Sequence, residues 1–425
     1  MHDLLPVLKV LLAFVPLALV PLMIFMERKG ASLIQDRVGP NRSALHLPGG
    51  LRLRAFGFVH NFSDAIKLFL KEDFTPARAH TWYYILAPCI PVVTAILTPA
   101  LIPFFAPVVW EGGVLTGTAL DTDLGLLLLF AFSSLSVYGI VLGSWASNSK
   151  YTLLGGLRAS AMMISYEVAM GLSILGLLLI IGSFNLTDIV EWQATHAWGI
   201  VVQPVAFFMF FTCLFAETGR NPFDVQEGES EIVGGFHVEY SSMRFALFFM
   251  GEYAHVVVAS LLMSTLFLGG YHLPFLDTGT IHANAGVVLG LVAVVTCLIC
   301  ACAAAMIGRA ARRYARYAEA SDQQLRQREY TFLRAVAGAL AVLCGLGALL
   351  AWSLVPNPGH LAVPPLWAAV LTAVIQVGIV LAKTILFCWI FVWVRWTLPR
   401  FRYDQIMGLG WKVLLNVALV NLLLT

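Results

Sequence analysis

The chain reads as long apolar runs separated by short polar stretches. A membrane-spanning helix needs roughly 20 apolar residues. Ten runs approach or meet that length, at about 4–26, 82–108, 123–145, 159–182, 199–216, 244–270, 286–308, 332–354, 364–394 and 404–424. One stretch has a different pattern. Phe58, Phe62, Ile66 and Phe69 recur at helical spacing, with His60, Asp64, Lys67 and Lys71 on the opposite stripe. That predicts an amphipathic helix lying in the membrane surface and ending at Thr75-Pro76. Such a helix serves either as a plain interfacial anchor or as the floor under an opening to the lipid phase. The predicted fold is an all-α polytopic membrane protein, about ten transmembrane helices plus one interfacial helix, in a single domain over residues 1–425.

Composition agrees with the pattern. The chain is 59% hydrophobic and 12% charged, about half the charged fraction of soluble domains. Only Asp3 among acids, and no Lys or Arg, precedes Lys9, so the first run lacks the basic start of a secretory signal and reads as a retained helix. All seven cysteines lie in apolar runs, where they behave as small core residues rather than disulfide partners. Cys297, Cys300 and Cys302 have metal-like spacing, but neither His nor carboxylate stands near them, so helix packing is the reading. No Gly-rich phosphate loop follows a strand and no HExxH occurs, so the chain offers no nucleotide, flavin or iron–sulfur site of its own.

The basic residues sort the loops. Nine Lys/Arg fall in 27–81, two in 146–158, Arg220 in 217–243, six Arg in 309–331 and three in 395–403, while 109–122, 183–198, 271–285 and 355–363 hold none. The positive-inside rule then puts the basic loops in the cytoplasm and both termini on the periplasmic side. The six-arginine linker signals topology or contacts anionic headgroups.

Against that rule, one cytoplasmic stretch is acidic. Residues 217–240 carry Glu217, Asp224, Glu227, Glu229, Glu231 and Glu239 against Arg220 alone. Asn221-Pro222-Phe223-Asp224 predicts a helix start, with Asp224, Glu227 and Glu231 at helical spacing and Gly234-Gly235 as the stop. The stretch is a solvated loop, or it is the beginning of a proton-accessible path in which protons or partners relieve the repulsion. Inside the apolar runs stand Glu167, Glu252, Lys383 and Lys412, at depths of about 13, 12, 18 and 12 Å by helical rise. His255 follows Glu252 on the same face. These groups must pair or line water, either as static Glu–Lys pairs or as a polar path.

At this point the residues resemble a known family, the H subunit of the bacterial proton-pumping NADH:quinone oxidoreductase, respiratory complex I. The resemblance rests on Glu27-Arg28-Lys29, Arg37-Val38-Gly39-Pro40-Asn41-Arg42, Asp64-Ala65-Ile66-Lys67, Leu154-Gly155-Gly156-Leu157-Arg158 and Ile164-Ser165-Tyr166-Glu167. It continues through Ala216-Glu217-Thr218, Pro222-Phe223-Asp224, Glu229-Ser230-Glu231, Phe236-His237, Leu398-Pro399-Arg400-Phe401-Arg402-Tyr403-Asp404 and Gly410-Trp411-Lys412. It implies a multi-pass subunit of the bacterial inner membrane that forms the membrane side of a quinone chamber. Quinone is the substrate, reduced by an iron–sulfur cluster in a docked peripheral-arm subunit; flavin and clusters belong to partners. The implied neighbours are that peripheral arm, small membrane subunits, antiporter-like subunits and membrane lipid, with no nucleic acid. Glu27, Arg37, Arg42 and Asp64 are expected at the chamber. Glu167, Glu217, Asp224, Glu227, Glu229 and Glu231 are expected in the acidic link, with Glu239, Glu252, Lys383 and Lys412 continuing the proton path. Catalysis is expected of the complex and not of this chain alone.

The chain departs from the family pattern twice. Gly219 stands before Arg220 and loosens that turn, and residues 271–363 hold two helices beyond the usual eight, an insertion between the family-like parts 1–270 and 364–425. The competing reading is the membrane anchor of an energy-converting hydrogenase or formate hydrogenlyase. A free-standing ion transporter is disfavoured by the absence of internal repeats.

Overall fold

A computed structural model of the chain describes residues 4–37, 39–40, 42–46, 52–53, 57–110, 113–226, 234–273, 278–315, 321–354 and 366–425. Among these, nine helices are long and apolar enough to cross a membrane, and Pro204–Glu217 is a shorter apolar one. Together they fall on the ten predicted runs.

The first span is α1 (Leu4–Ala13) and α2 (Val15–Ile34), broken where Pro16 opens α2. It runs past the predicted end at residue 26 because Glu27 and Lys29 are buried inside the protein rather than placed in water. Two short antiparallel ribbons, β1 (Leu45–His46) with β2 (Arg52–Leu53) and β3 (Val108–Trp110) with β4 (Gly113–Leu115), decorate the loops. Between them lie α3 (Val59–Leu70), α4 (Thr81–Leu86) and α5 (Cys89–Leu97). Helix α3 is the predicted amphipathic helix, with Phe62, Ile66, Phe69 and Leu70 exposed. It stops at Leu70 rather than Thr75, where Lys71 turns extended and the single Ser242 hydroxyl proton is shared between the carbonyls of Leu68 (2.9 Å) and Lys71 (3.0 Å), groups a longer helix would use.

Helices α6 (Gly125–Ala146) and α7 (Lys150–Ile181) follow. Helix α7 starts nine residues before the predicted 159, through Gly155-Gly156. Those glycines are helical because neighbours approach too closely for a Cβ: one at 155 would lie 2.8 Å from the Phe236 nitrogen, and one at 156 would overlap the Ser144 hydroxyl. The sequence also hides α8 (Leu186–Thr195), which begins where Asn185 accepts a hydrogen bond from the Thr187 N–H at 2.9 Å, an N-cap signal. The fifth predicted run is two helices, α9 (Gly199–Val202) and α10 (Pro204–Glu217), parted at Gln203 because Pro204 disfavours helical geometry in the residue before it.

Helix α11 (Ser242–Phe267) is the axis of the bundle. Every residue from Val256 to Phe267 is buried, as expected of a helix apolar all round. Its serines and threonines return their hydroxyls to its own carbonyls, Ser260 to Val256 (2.8 Å) and Ser264 to Leu261 (2.7 Å). Helices α12 (Thr278–Ala283), α13 (Ala285–Ala315) and α14 (Ser321–Leu354) follow, and the last two form an exposed hairpin. Much of the predicted 309–331 linker is therefore helix. Cys297 packs near Gly345 within this hairpin. Then come α15 (Leu366–Thr397), α16 (Tyr403–Gly408), a π-helical turn at Leu409–Leu414, and α17 (Leu415–Leu424). Phenylalanines weld α10 to α15: Phe215 and Phe391 have ring centroids 4.2 Å apart, and Phe211 and Phe391 5.5 Å.

Two helices close on Pro91 of α5. A Cβ at Gly139 of α6 would lie 2.6 Å from the Pro91 ring and one at Gly251 of α11 2.8 Å from it, whereas Gly171 has nothing within 4 Å. Gly139→Val therefore costs about 1–3 kcal/mol by overpacking, seen as a lowered thermal midpoint of the membrane-extracted protein. Gly171→Ala leaves that midpoint unchanged or raises it slightly.

Candidate functional site

The site begins where α10 ends. The Gly219 N–H donates to Ala216 O (3.2 Å) and the Arg220 N–H to Phe215 O (3.1 Å), the paired closure of a helix C-terminus around a left-handed residue. Gly219 has φ +61°, and a Cβ there would collide with the Gln226 amide. This glycine closes a tight turn rather than loosening one. The chain does not start a new helix at Asn221: residues 221–226 are turn and coil, with a cis Asn221-Pro222 bond. The Asn221 side chain donates instead to the carbonyls of Arg395 (2.9 Å) and Leu398 (3.2 Å) at the end of α15. The Phe401 N–H donates to Pro222 O at 3.0 Å, and Asp224 pairs with Arg400 at 2.5 Å. Tertiary partners have taken the groups a helix start would have used.

That docking aims Arg220 into the protein, where its side chain is 4% exposed. Nη1 lies 3.4 Å from Glu27 Oε2 on α2, Nε lies 3.1 Å from Glu252 Oε1 on α11, and the guanidinium sits 4.1 Å over the Tyr253 ring. Arg395, in the last turn of α15, meets the other oxygen of Glu27 at 2.5 Å. Two arginines and two glutamates from four parts of the chain thus balance in charge where desolvation is most expensive.

Beside this cluster is a cavity of about 50 Å³, lined by Ser133, Glu217, Gln226, Glu252 and His255 among apolar residues. The volume is enough for about three water molecules. Ser133 donates its hydroxyl to Glu217, and His255 Nε2 is 3.2 Å from Thr94 Oγ1. Glu167, on α7, is within Coulombic reach of Glu217. Carboxylates, an imidazole and room for water are the components of a proton relay. Behind the lining residue Phe248, whose ring is 4.9 Å from that of Tyr240, two tyrosines stack, Tyr84 and Tyr240, with centroids 4.2 Å apart. Tyr84 donates to Glu239 O at 2.6 Å and Tyr240 to Tyr84 O at 3.2 Å. Burial pushes the Tyr240 pKa up, which keeps that hydroxyl a donor.

The family model described as NADH dehydrogenase matches residues 7–322 and 329–425, through both the cluster and the cavity. The chain belongs to this family. Its curated relatives include the first of the NADH-quinone oxidoreductase H subunits of Geobacter metallireducens, 38% identical over 98% of this chain and 93% of that one. Subunit 8 of the same-named enzyme from Rhodothermus marinus is 37% identical over 95% and 90%, and the first H subunit from Cytophaga hutchinsonii 34% over 94% and 89%.

Within the family frame, the expected site residues divide. Glu27 and Glu252 meet at Arg220, Glu252 and Glu217 share the cavity, and Glu167 is within Coulombic reach of Glu217. Asp64 lies on α3, half exposed and paired with Arg28 at 2.5 Å. Arg37 and Arg42 are exposed, Arg37 donating to Gln35 Oε1 at 2.7 Å. Glu227, Glu229 and Glu231 lie outside the described residues. The expectation of static Glu–Lys pairs gives way at the cluster, where the cations that meet Glu27 and Glu252 are the arginines Arg220 and Arg395. Lys383 instead donates to three carbonyls, Leu268 (2.6 Å), Gly270 (2.7 Å) and His272 (2.6 Å), just past the end of α11, where a helix terminus favours a cation. Lys412 is exposed on the π-helical turn. Sequence reasoning missed Arg395 because it follows an apolar run and reads as a topology charge; it belongs to α15 itself. Ser133 carried no signal at all.

Removing one member of the cluster leaves a buried charge short of a partner. Arg395→Met is expected to cost about 3–5 kcal/mol, read as loss of the chain from membranes and a lowered unfolding midpoint, with partial rescue by Arg395→Lys. Arg402→Met, which breaks the fully exposed pair to Asp404, leaves both readings at the parental level.

Proposed function

We propose that the chain is the membrane subunit of an NADH-quinone oxidoreductase that completes the quinone chamber and passes the consequence of quinone reduction into a proton path. Family membership and relatives named for the H subunit of that enzyme support the first part. Those names favour it over a hydrogenase anchor. The observation that carries the second part is Arg220, which touches Glu27 on the α2 side and Glu252 on the cavity side.

In this reading quinone approaches over α3, whose exposed Phe62, Ile66 and Phe69 lie in the membrane surface. Arg37, Arg42 and Asp64 border the chamber from the same side, and the basic loops face the cytoplasm with both termini across the membrane. Electrons arrive from an iron–sulfur cluster held by a peripheral partner, and flavin belongs to that arm as well. Small membrane subunits and antiporter-like subunits continue the path laterally. When the charge at the chamber changes, Glu27 shifts its hold on Arg220, and Arg220 shifts its hold on Glu252. Glu252, His255, Glu217 and Glu167 then exchange protons through the water that the cavity accommodates. Glu239 and the acids of residues 227–231 feed this path from the loop, Lys383 closes its far end at the carbonyls beyond α11, and Lys412 meets a neighbour from the exposed turn before α17.

Glu167 gives the sharpest test. Glu167→Gln keeps shape and hydrogen bonding but carries no proton. It is expected to assemble with normal subunit content while losing quinone-linked activity and pumping by roughly tenfold or more, with Glu167→Asp retaining part. Failure of Glu167→Gln to assemble marks a structural role, and pumping at the parental rate removes the residue from the path.

A further inference from the structure

The hairpin α13–α14 carries a charge pattern that the quinone reading does not use. At the end where α13 finishes and α14 begins, the two helices hold six arginines, at 309, 312, 313, 326, 328 and 334, against two carboxylates, Asp322 and Glu329. Two of these arginines converge. Arg312 folds back so that Nε donates to the Gly308 carbonyl at 3.3 Å. Arg334, from the other helix, lies across the same glycine, its Cδ and Nε each 3.1 Å from where a Cβ would stand. Gly308 is the notch that lets the second guanidinium cross. Both arginines are exposed, and neither takes part in an ion pair among the described residues.

The surroundings define the ligand. The turns beside the notch expose Met306 and Phe332, and deeper turns expose Leu298, Ile299, Leu340 and Leu343. A small free anion has no use for that apolar surface. A molecule with a phosphate head and hydrocarbon tails uses both, because guanidinium groups recognise phosphate oxygens with a planar fork while acyl chains lie along the helices.

We propose that Arg312 and Arg334, crossing at Gly308, bind the phosphate of an anionic phospholipid whose chains lie along α13 and α14. The hairpin thereby recruits anionic lipid to the edge of the complex. This site is independent of the quinone chamber and stands or falls separately from it.

The test uses the assembled complex in lipid nanodiscs, with phosphatidylglycerol carrying a photoreactive group in its acyl chain. Phosphatidylcholine with the same group is the control. Cross-linked peptides are mapped by mass spectrometry. The expected result is about thirtyfold more labelling of residues 298–308 and 332–343 by the anionic lipid, the gain that two arginines at the membrane surface provide. Arg312→Gln with Arg334→Gln should bring the two lipids to parity, while the paired Lys variants stay intermediate and Arg309→Gln changes little. If the Gln pair does not assemble, the parental comparison still decides. Equal labelling by both lipids overturns the proposal. So does a preference abolished by inorganic phosphate, which marks a free-anion site, and so does a hairpin labelled by neither lipid, which marks a protein partner on this face.

Discussion

A guanidinium cannot shed its proton inside a protein, so burying Arg220 obliges the fold to surround it with anions. Glu27 and Glu252 supply the charge, and the Tyr253 ring supplies a π face. Those three residues belong to α2 and α11, and Arg395 of α15 holds Glu27 from the other side. One cation thereby fixes the mutual placement of three spans and the end of α10. Glu217 stands one turn before Arg220, and this is what places its carboxyl group in the cavity beside Ser133. The cavity exists because the loop that closes it is pulled toward the cluster rather than into water.

The described residues 221–226 of the acidic stretch are held in the same way, by docking. Asp224 meets Arg400 and Asn221 caps the end of α15, so the loop and the segment after α15 form one structural unit. The lysines play a separate part. Lys383 satisfies a set of carbonyls left by the end of α11, and so it secures the far side of the bundle without competing for the glutamates. The result is a polar interior in which arginines hold carboxylates at Glu27 and Glu252 and a lysine holds backbone just past the C-terminal end of α11. A pair of opposite charges can be perturbed by a change at either end. A saturated ammonium is a fixed point.

The spans were legible in the sequence because hydropathy depends only on length and composition. Their boundaries were not, because boundaries depend on partners. Glu27 looked like the end of a helix and is buried inside one. The run expected from 159 begins at Lys150, because Gly155 and Gly156 allow close contact with the 235–236 segment and with Ser144 of α6. Asn221-Pro222 had the local chemistry of a helix start, but its side chain is used by α15. In each case a tertiary contact outweighed a local preference. Among the site residues, the carboxylates were visible because charge in or beside an apolar run is rare. Their partners were harder to find, since Arg220 and Arg395 read as loop charges and nothing in a sequence says which arginine will turn inward. Ser133 is one serine among many in α6, distinguished only by facing Glu217.

Reduction of quinone in the assembled complex must change the protonation of the cavity carboxylates if the Arg220 cluster transmits the event. Redox-induced infrared difference spectroscopy reads this directly, by comparing parental complex with Glu217→Gln complex of the same subunit content. The account predicts a carboxyl signal that appears or vanishes with quinone reduction in the parental complex and is missing in the Glu217→Gln complex. Superimposable carboxyl difference spectra from the two complexes would contradict it.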